Sequence, residues 1–129
     1  MRGRVLVIAA LVFAGACASP REKVLKAALN DYQRTNHAAV AFARAQVKQL
    51  VAATLSFRSS LGRWPQTFNE LVEFAMPNRL ALDPLAFNDV TFAALPDGTV
   101  QLHYDVSCAR FDTPQYKFTQ SGSVNVKTK

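Results

Sequence analysis

Apolar positions recur with the period of an α-helix in the first half of the chain. Between Val40 and Leu61 they repeat at alternating spacings of three and four, a heptad-like pattern with one polar member. This set, called the seam below, consists of Val40, Ala43, Val47, Leu50, Thr54, Phe57 and Leu61. Because no glycine or proline interrupts residues 21–61, the pattern predicts one helix over about residues 19–60, about 60 Å long. A break near Asn30–Asn36, where apolar residues are fewer, is the alternative.

A short second helix is predicted to follow the long one. Gly62 suits the left-handed position after a helix end, and Pro65 does not continue a helix. Thr67 and Glu70 have the spacing of a capping box, in which the two side chains accept hydrogen bonds from the first backbone N–H groups of a helix. The sequence therefore predicts a helix over Phe68–Ala75.

After Phe87 the apolar period changes to two, which predicts strands. Turns are expected at Pro96-Asp97-Gly98 and at Asp112-Thr113-Pro114, and Gly122 is expected to mark a bulge or a bend. The inward positions would be Val90, Phe92 and Ala94, then Val100, Leu102, Tyr104, Val106 and Cys108, then Tyr116, Phe118, Val124 and Val126. The predicted fold class is α+β: a long N-terminal helix packed on a three-stranded antiparallel meander, with a short second helix between.

The composition is that of a globular protein with an uneven distribution of charge. Of the 129 residues, 50% are hydrophobic and 19% are charged, which indicates a folded chain and not a disordered one. The net charge is +6. Most of this excess lies in residues 20–59, where seven basic residues stand against Glu22 and Asp31.

The basic residues of the long helix form a stripe. At about 100° per residue, six of them fall within about 120° of one another, beside the seam. This basic stripe consists of Lys23, Lys26, Arg34, Arg44, Lys48 and Arg58. Two interpretations are open: a solvated helix face, or a contact with an envelope protein or anionic lipid headgroups. Nucleic acid is not expected as a partner, because no base-stacking aromatic residues interleave the charges.

The first 16 residues have the layout of a signal peptide. Arg2 and Arg4 precede an apolar run, Val5–Phe13, and small residues follow. The run is too short to span a bilayer, which takes about 20 apolar residues. Residues 17–129 would then form a single α+β domain.

The residues Ala14-Gly15-Ala16-Cys17 resemble the lipobox of bacterial lipoproteins. The resemblance implies cleavage before Cys17 and acylation of that cysteine with palmitate or a related chain. Because Ala18 and not aspartate follows, it also implies attachment to the outer membrane, facing the periplasm. The same bond fits an ordinary small-x-small cleavage rule, so a soluble periplasmic or secreted product is the alternative. In that case a Cys17–Cys108 disulfide becomes available.

The junction between the two predicted helices resembles that of type IV pilins and type II secretion pseudopilins. The residues that carry the resemblance are Phe57–Leu71, with a glycine, an aromatic and a proline before a short helix, and the pair Asp83-Pro84. The resemblance implies a long helix on a small antiparallel sheet. The chain departs from the family in having no prepilin-peptidase site of the Gly-Phe-Thr-Leu type.

Candidate catalytic residues are few. His103, Asp105 and Ser107 alternate along the second predicted strand and would share its outer face, but that pattern supplies no oxyanion donor. Neither the histidines nor the cysteines have the spacing of a metal site, and no cofactor is expected. We therefore expect a small non-enzymatic envelope lipoprotein that acts as a binding or assembly component. A pseudopilin-like structural subunit and a small periplasmic hydrolase are the alternatives, and the sequence does not fix the oligomeric state.

Overall fold

A computed structural model describes residues 20–128. The signal peptide, Cys17 and the predicted helix start at about residue 19 lie outside the described residues. The chain divides into two compact units, residues 1–35 and residues 36–129. In the first unit, the described residues belong to the start of the long helix and are mostly exposed. The second unit contains the sheet and the core.

The long helix, α1, spans Pro20–Leu61 and has 42 residues. It runs through Asn30–Asn36 as helix, so the alternative of a break there is wrong. Gly62 ends it with φ +75°, and the Gly62 N–H donates to the Arg58 carbonyl at 2.9 Å. This is the left-handed helix end that the glycine predicts.

The short helix, α2, spans Phe68–Ala75. Its predicted capping box forms in one direction, because the Glu70 N–H donates to the Thr67 hydroxyl at 3.1 Å. The Glu70 carboxylate accepts from the Gln66 N–H at 2.8 Å, one residue before the expected donor. The bond from the Glu70 N–H satisfies a backbone group that a helix start otherwise leaves unpaired.

The sheet has three antiparallel strands in the order β1-β2-β3, as predicted. The strands are β1 (Phe87–Ala94), β2 (Val100–Val106) and β3 (Gln120–Val126). The first turn closes where the Leu95 N–H donates to the Thr99 carbonyl at 2.8 Å, with Gly98 at φ +88°. Short 3-10 turns at Pro84–Ala86 and Ala109–Phe111 precede β1 and follow β2.

Three sequence-based expectations about the strands are wrong. The second strand ends at Val106, so Ser107 and Cys108 follow it and do not belong to it. The third strand begins at Gln120, so Tyr116 and Phe118 precede it. Phe118 is nevertheless buried, and its N–H donates to the Asp112 carboxylate at 2.8 Å. Gly122 does not mark a bulge, because it pairs in register with Tyr104. The irregular pairing lies instead on β1, between Phe87 and Asp89.

The core of the second unit is formed by one face of α1, one face of α2 and the inner face of the sheet. Its largest fully buried side chains are Phe57, Leu50, Leu71, Leu102, Val100, Val106, Thr54 and Cys108. The polar member of the seam, Thr54, donates its hydroxyl to the Leu50 carbonyl at 2.8 Å, so its burial leaves no unpaired donor. The α+β fold class is the one predicted.

Candidate binding groove

The apolar stripe of α1 is wider than the part of it that the core buries. The buried positions are Ala39, Ala43, Leu50, Ala53, Thr54 and Phe57, which cover a sector of about 100° on the helix. Val40, Val47 and Val51 are only half-buried and cover a neighbouring sector of about 40°. The last member of the seam, Leu61, is 52% exposed. The seam thus contributes to the core on one flank and to an open surface on the other.

The half-buried flank of α1 and the strand β3 enclose an open groove of about 470 Å³. We call it the α1–β3 groove. On the helix it is lined by Val40, Ala43, Arg44, Val47, Lys48 and Val51, and on the sheet by Tyr104, Gln120, Ser121 and Val124. Its walls are mainly apolar, and both cationic residues belong to the basic stripe.

Tyr104 and Gly122 together shape the sheet wall of the groove. They lie directly opposite each other on β2 and β3. A Cβ atom at position 122 would lie 2.7 Å from the Tyr104 hydroxyl oxygen, closer than real Cβ contacts allow. The glycine therefore leaves space for the tyrosine ring to lie across β3. A cross-strand aromatic over a glycine is a known way of keeping such a strand in register.

The groove carries positive charge without a compensating carboxylate. Arg44 and Lys48 are exposed at its rim, and its lining includes no acidic side chain. Within residues 20–128, neither Arg44 nor Lys48 forms an ion pair: Asp31 pairs with Arg34, and Glu70 pairs with Arg63. An anionic group placed at the rim would therefore meet two unpaired cations.

The other members of the basic stripe lie in different surroundings. Arg34 is engaged by Asp31 one turn away. Arg58 is half-buried, with its guanidinium 5.1 Å from the ring centroid of Trp64. Lys23 and Lys26 are exposed on the part of α1 that belongs to the first unit. The structure therefore brings Arg44 and Lys48 together at the α1–β3 groove, whereas Arg58 lines a different pocket beside Trp64.

The corner between α1 and α2 is closed by an aromatic and an ion pair. Trp64 is buried, and its indole N–H donates to the Gly98 carbonyl at 3.1 Å. The Arg63 guanidinium donates to the Glu70 carboxylate, with one contact at 3.2 Å. This hydrogen bond, helped by the Gln66 N–H, lowers the pKa of Glu70 to about 2.

Of the residues considered for hydrolysis, His103 and Asp105 lie on β2, and Ser107 follows the end of that strand. His103 is exposed and pairs in register with Thr91 and Ser123. Asp105 lies opposite Asp89, and its Oδ1 atom is buried without a hydrogen-bond partner among the described residues. The Ser107 N–H donates to the Ala86 carbonyl at 2.7 Å. Within residues 20–128 no group of three His, Cys, Asp or Glu side chains is placed to hold a metal ion.

Cys108 is a buried free thiol, as the apolar alternation predicts, although it lies two residues beyond the end of β2. Its sulfur lies 3.9 Å from the Ala39 carbonyl oxygen, against the buried flank of α1. Burial raises the pKa of this thiol, because a low-dielectric surrounding disfavours the thiolate.

Sequence reasoning identified the two cations of the groove but not its apolar lining as a site. Val51, Tyr104 and Val124 were expected in the core or not singled out at all. One signal was present: Val51 follows Val47 by four residues and widens the apolar stripe toward the basic stripe. The pairing of Tyr104 with a glycine depends on strand register, which a single sequence does not specify.

Comparison with known proteins identifies no relative of this chain. The chain matches no protein-family model, no curated protein and no solved structure. In the described part of the chain, neither helix is long and apolar enough to cross a membrane. The site's own chemistry is therefore the basis for a proposed function.

Proposed function

We propose that this chain is a non-enzymatic component of the cell envelope that binds or assembles with a partner, held at the outer membrane by a lipid on Cys17. The observation that carries the binding role is the α1–β3 groove. Its volume of about 470 Å³ lies within the range of about 300–1,000 Å³ that is usual for binding sites. An apolar floor with a few polar groups at the rim is the usual construction of such sites.

The lining favours binding over catalysis. A catalytic serine or tyrosine is usually activated by an adjacent base, most often a histidine or a carboxylate. The groove presents instead valines, an alanine, a tyrosine, Gln120, Ser121 and two cations. Such a surface provides apolar contact and electrostatic orientation for a ligand.

The membrane attachment rests on the leader sequence. The lipobox-like residues before Cys17 support acylation, and two or more acyl chains are enough for stable attachment. Lys23 and Lys26 follow Cys17 by six and nine residues and would add an attraction to anionic headgroups of about 1 kcal/mol for each lysine near the surface.

Acyl labelling in the native host tests the anchor. The wild-type chain is expected to incorporate a labelled fatty acid and to fractionate with membranes. The Cys17→Ala variant is expected to do neither, and the mature wild-type chain should begin at Cys17. Equal recovery of both proteins in the soluble periplasm would contradict the anchor, and an uncleaved apolar leader would favour the pilin-like alternative.

Photo-crosslinking in the same cells tests the binding role. A photoreactive amino acid at Val47 reports from the groove, and one at the exposed His103 reports from the opposite face of the sheet as the matched control. We expect a light-dependent adduct of defined mass from position 47 and none from position 103. No adduct at either position, or the same adducts at both, would contradict binding through the groove.

A further inference from the structure

We infer that the α1–β3 groove and the free edge of β3 together accept an extended segment of a partner protein, which joins the sheet as a fourth strand and places an acidic side chain beside Arg44 and Lys48. This inference rests on the proposed function and specifies the chemistry of its partner. Three independent features support it: the backbone of β3, the exposed flank of α1 and the charge of the rim.

The first feature is an unprotected strand edge. β3 has seven residues and pairs only with β2 in the described part of the chain. In an antiparallel pair, every second residue points its N–H and C=O away from the partner strand. Proteins usually protect such an edge with proline, charged side chains, a bulge or a covering segment. β3 contains no proline and no charged residue, and its pairing with β2 is regular throughout.

The second feature is apolar surface in the right place. A fourth strand would lie about 4.8 Å beyond β3, over the flank of α1 that carries Val40, Val47 and Val51. These valines are half-buried and line the same groove as Val124 of β3. Alternate side chains of an added strand point to the same face, so apolar residues at every second position would cover the three valines. The added strand would bury the valines that the three-stranded meander leaves only half-buried.

The third feature is the charge at the rim. Arg44 and Lys48 are one helical turn apart, so both flank the same stretch of the groove. Neither forms an ion pair with the described residues. A glutamate or aspartate in the added strand would meet both cations, whereas a lysine there would be repelled. Charge therefore selects among segments that pair equally well through their backbones.

A peptide strand fits this site better than an acyl chain does. Both would cover the valines, but only a peptide supplies N–H and C=O groups for the free edge of β3. Recognition by strand addition combines these two contributions: main-chain hydrogen bonds provide affinity, and pockets for alternate side chains provide specificity.

A peptide array tests the inference on the mature protein, purified from host membranes and held in nanodiscs of neutral lipid. The array carries seven-residue peptides with apolar residues at alternate positions and one glutamate. A second set has lysine in place of glutamate, and a third has N-methyl groups on alternate backbone nitrogens. We expect retention on the first set only. The Arg44→Ala and Lys48→Ala variants should each bind roughly threefold more weakly, as for partly exposed ion pairs.

Three results would overturn the inference. Equal binding of the N-methylated peptides would show that backbone pairing plays no part, and the groove would then be a site for apolar ligands in general. A stable dimer in sedimentation that Val124→Glu dissociates would make a second copy the occupant. No retention on any peptide set, while the Val47 crosslink persists in cells, would reject strand addition and leave the proposed function standing. Loss of that crosslink would reject the proposed function itself.

Discussion

The two edge strands of the sheet, β1 and β3, have nearly the same length but differ in how their free edges are protected. At the β1 edge the pairing is interrupted by a bulge beside Asp89. Helix α2 also packs on β1, with the Phe68 and Phe87 rings 5.6 Å apart in an edge-to-face contact. The β3 edge is regular and uncharged, and it borders an open apolar groove.

The comparison shows that one edge of the sheet is protected against pairing with a further strand and the other is not. Bulges, charged side chains and covering helices are the devices by which proteins keep strand edges from pairing with other chains. The β1 edge has all three, since the charged residue Asp89 lies on it as well, whereas β3 has no bulge and no charged residue. An unprotected strand edge beside an open apolar groove suits recognition of a partner, so substitutions on the two sides of the sheet should differ in their effects.

The largest difference is expected between a buried and a groove position of α1. Phe57 is 1% exposed and packs edge-to-face on Phe74, with ring centroids 5.2 Å apart. Phe57→Ala is expected to lower the free energy of unfolding by about 3–5 kcal/mol. Val47→Ala removes side-chain carbons that are only half-buried, so its cost should be about 1 kcal/mol, given about 0.8 kcal/mol per buried CH₂. Urea denaturation of the two variants measures both values. Similar losses would place Val47 in the core and remove the distinction.

An intermediate effect is expected where Tyr104 lies across Gly122. Gly122→Ala forces the tyrosine ring to move, because the new Cβ would lie 2.7 Å from its hydroxyl oxygen. We expect a loss of about 1–2 kcal/mol, as for other overpacked sites. The same glycine substitution in a Tyr104→Ala background should cost measurably less, since the two sites share one contact. Equal costs in both backgrounds would show that the ring does not depend on the glycine.

The fold was predictable to the extent that periodicity determines it. The spacing of Val40 to Leu61 predicted the long helix, and alternation at Val100, Leu102 and Val106 predicted the central strand. Periodicity did not predict where β3 begins, because Tyr116 and Phe118 alternate like strand residues although they precede it. Phe118 is buried through a loop held by Asp112, a tertiary contact that leaves no periodic signal.

A smaller effect of opposite sign is expected on the protected side of the sheet. Asp105 lies opposite Asp89, and like charges directly opposite each other destabilise a strand pair. Asp105→Asn should therefore raise the free energy of unfolding by about 0.2–1 kcal/mol. Asp97→Asn is the matched control, because the Asp97 carboxylate accepts hydrogen bonds from the Thr99 N–H and hydroxyl. The control should lower stability in the same urea assay. A loss in both variants would argue against repulsion at Asp105.

The smallest effect is a pH dependence at the corner between the helices. Arg63 and Gln66 lower the pKa of Glu70 to about 2, below the ordinary value of 4.5. The contribution of this carboxylate to stability is therefore present above about pH 4.5 and is lost as the pH falls toward 2. An NMR titration of the Glu70 carboxyl carbon should show the low pKa, and Arg63→Ala should return it toward the ordinary value. An unchanged titration in that variant would contradict the assigned cause.

The candidate site was predictable only in part. The basic stripe identified Arg44 and Lys48, but it placed them with Arg34 and Arg58, which Asp31 and Trp64 engage in the structure. The stripe is a property of one helix, whereas the groove depends on which flank of that helix the sheet leaves open. Packing between segments far apart in the sequence determines which flank stays open, and the periodicity of a single sequence does not predict it.

Amide hydrogen exchange at the two edges is the most direct test of the central claim, that β3 and not β1 is open to an added strand. The mature protein is measured alone and with the glutamate-containing seven-residue peptides. The account predicts slower exchange at alternate residues of Gln120–Val126 and no change across Phe87–Ala94. Unchanged exchange in β3, or protection that appears in β1 instead, would contradict it.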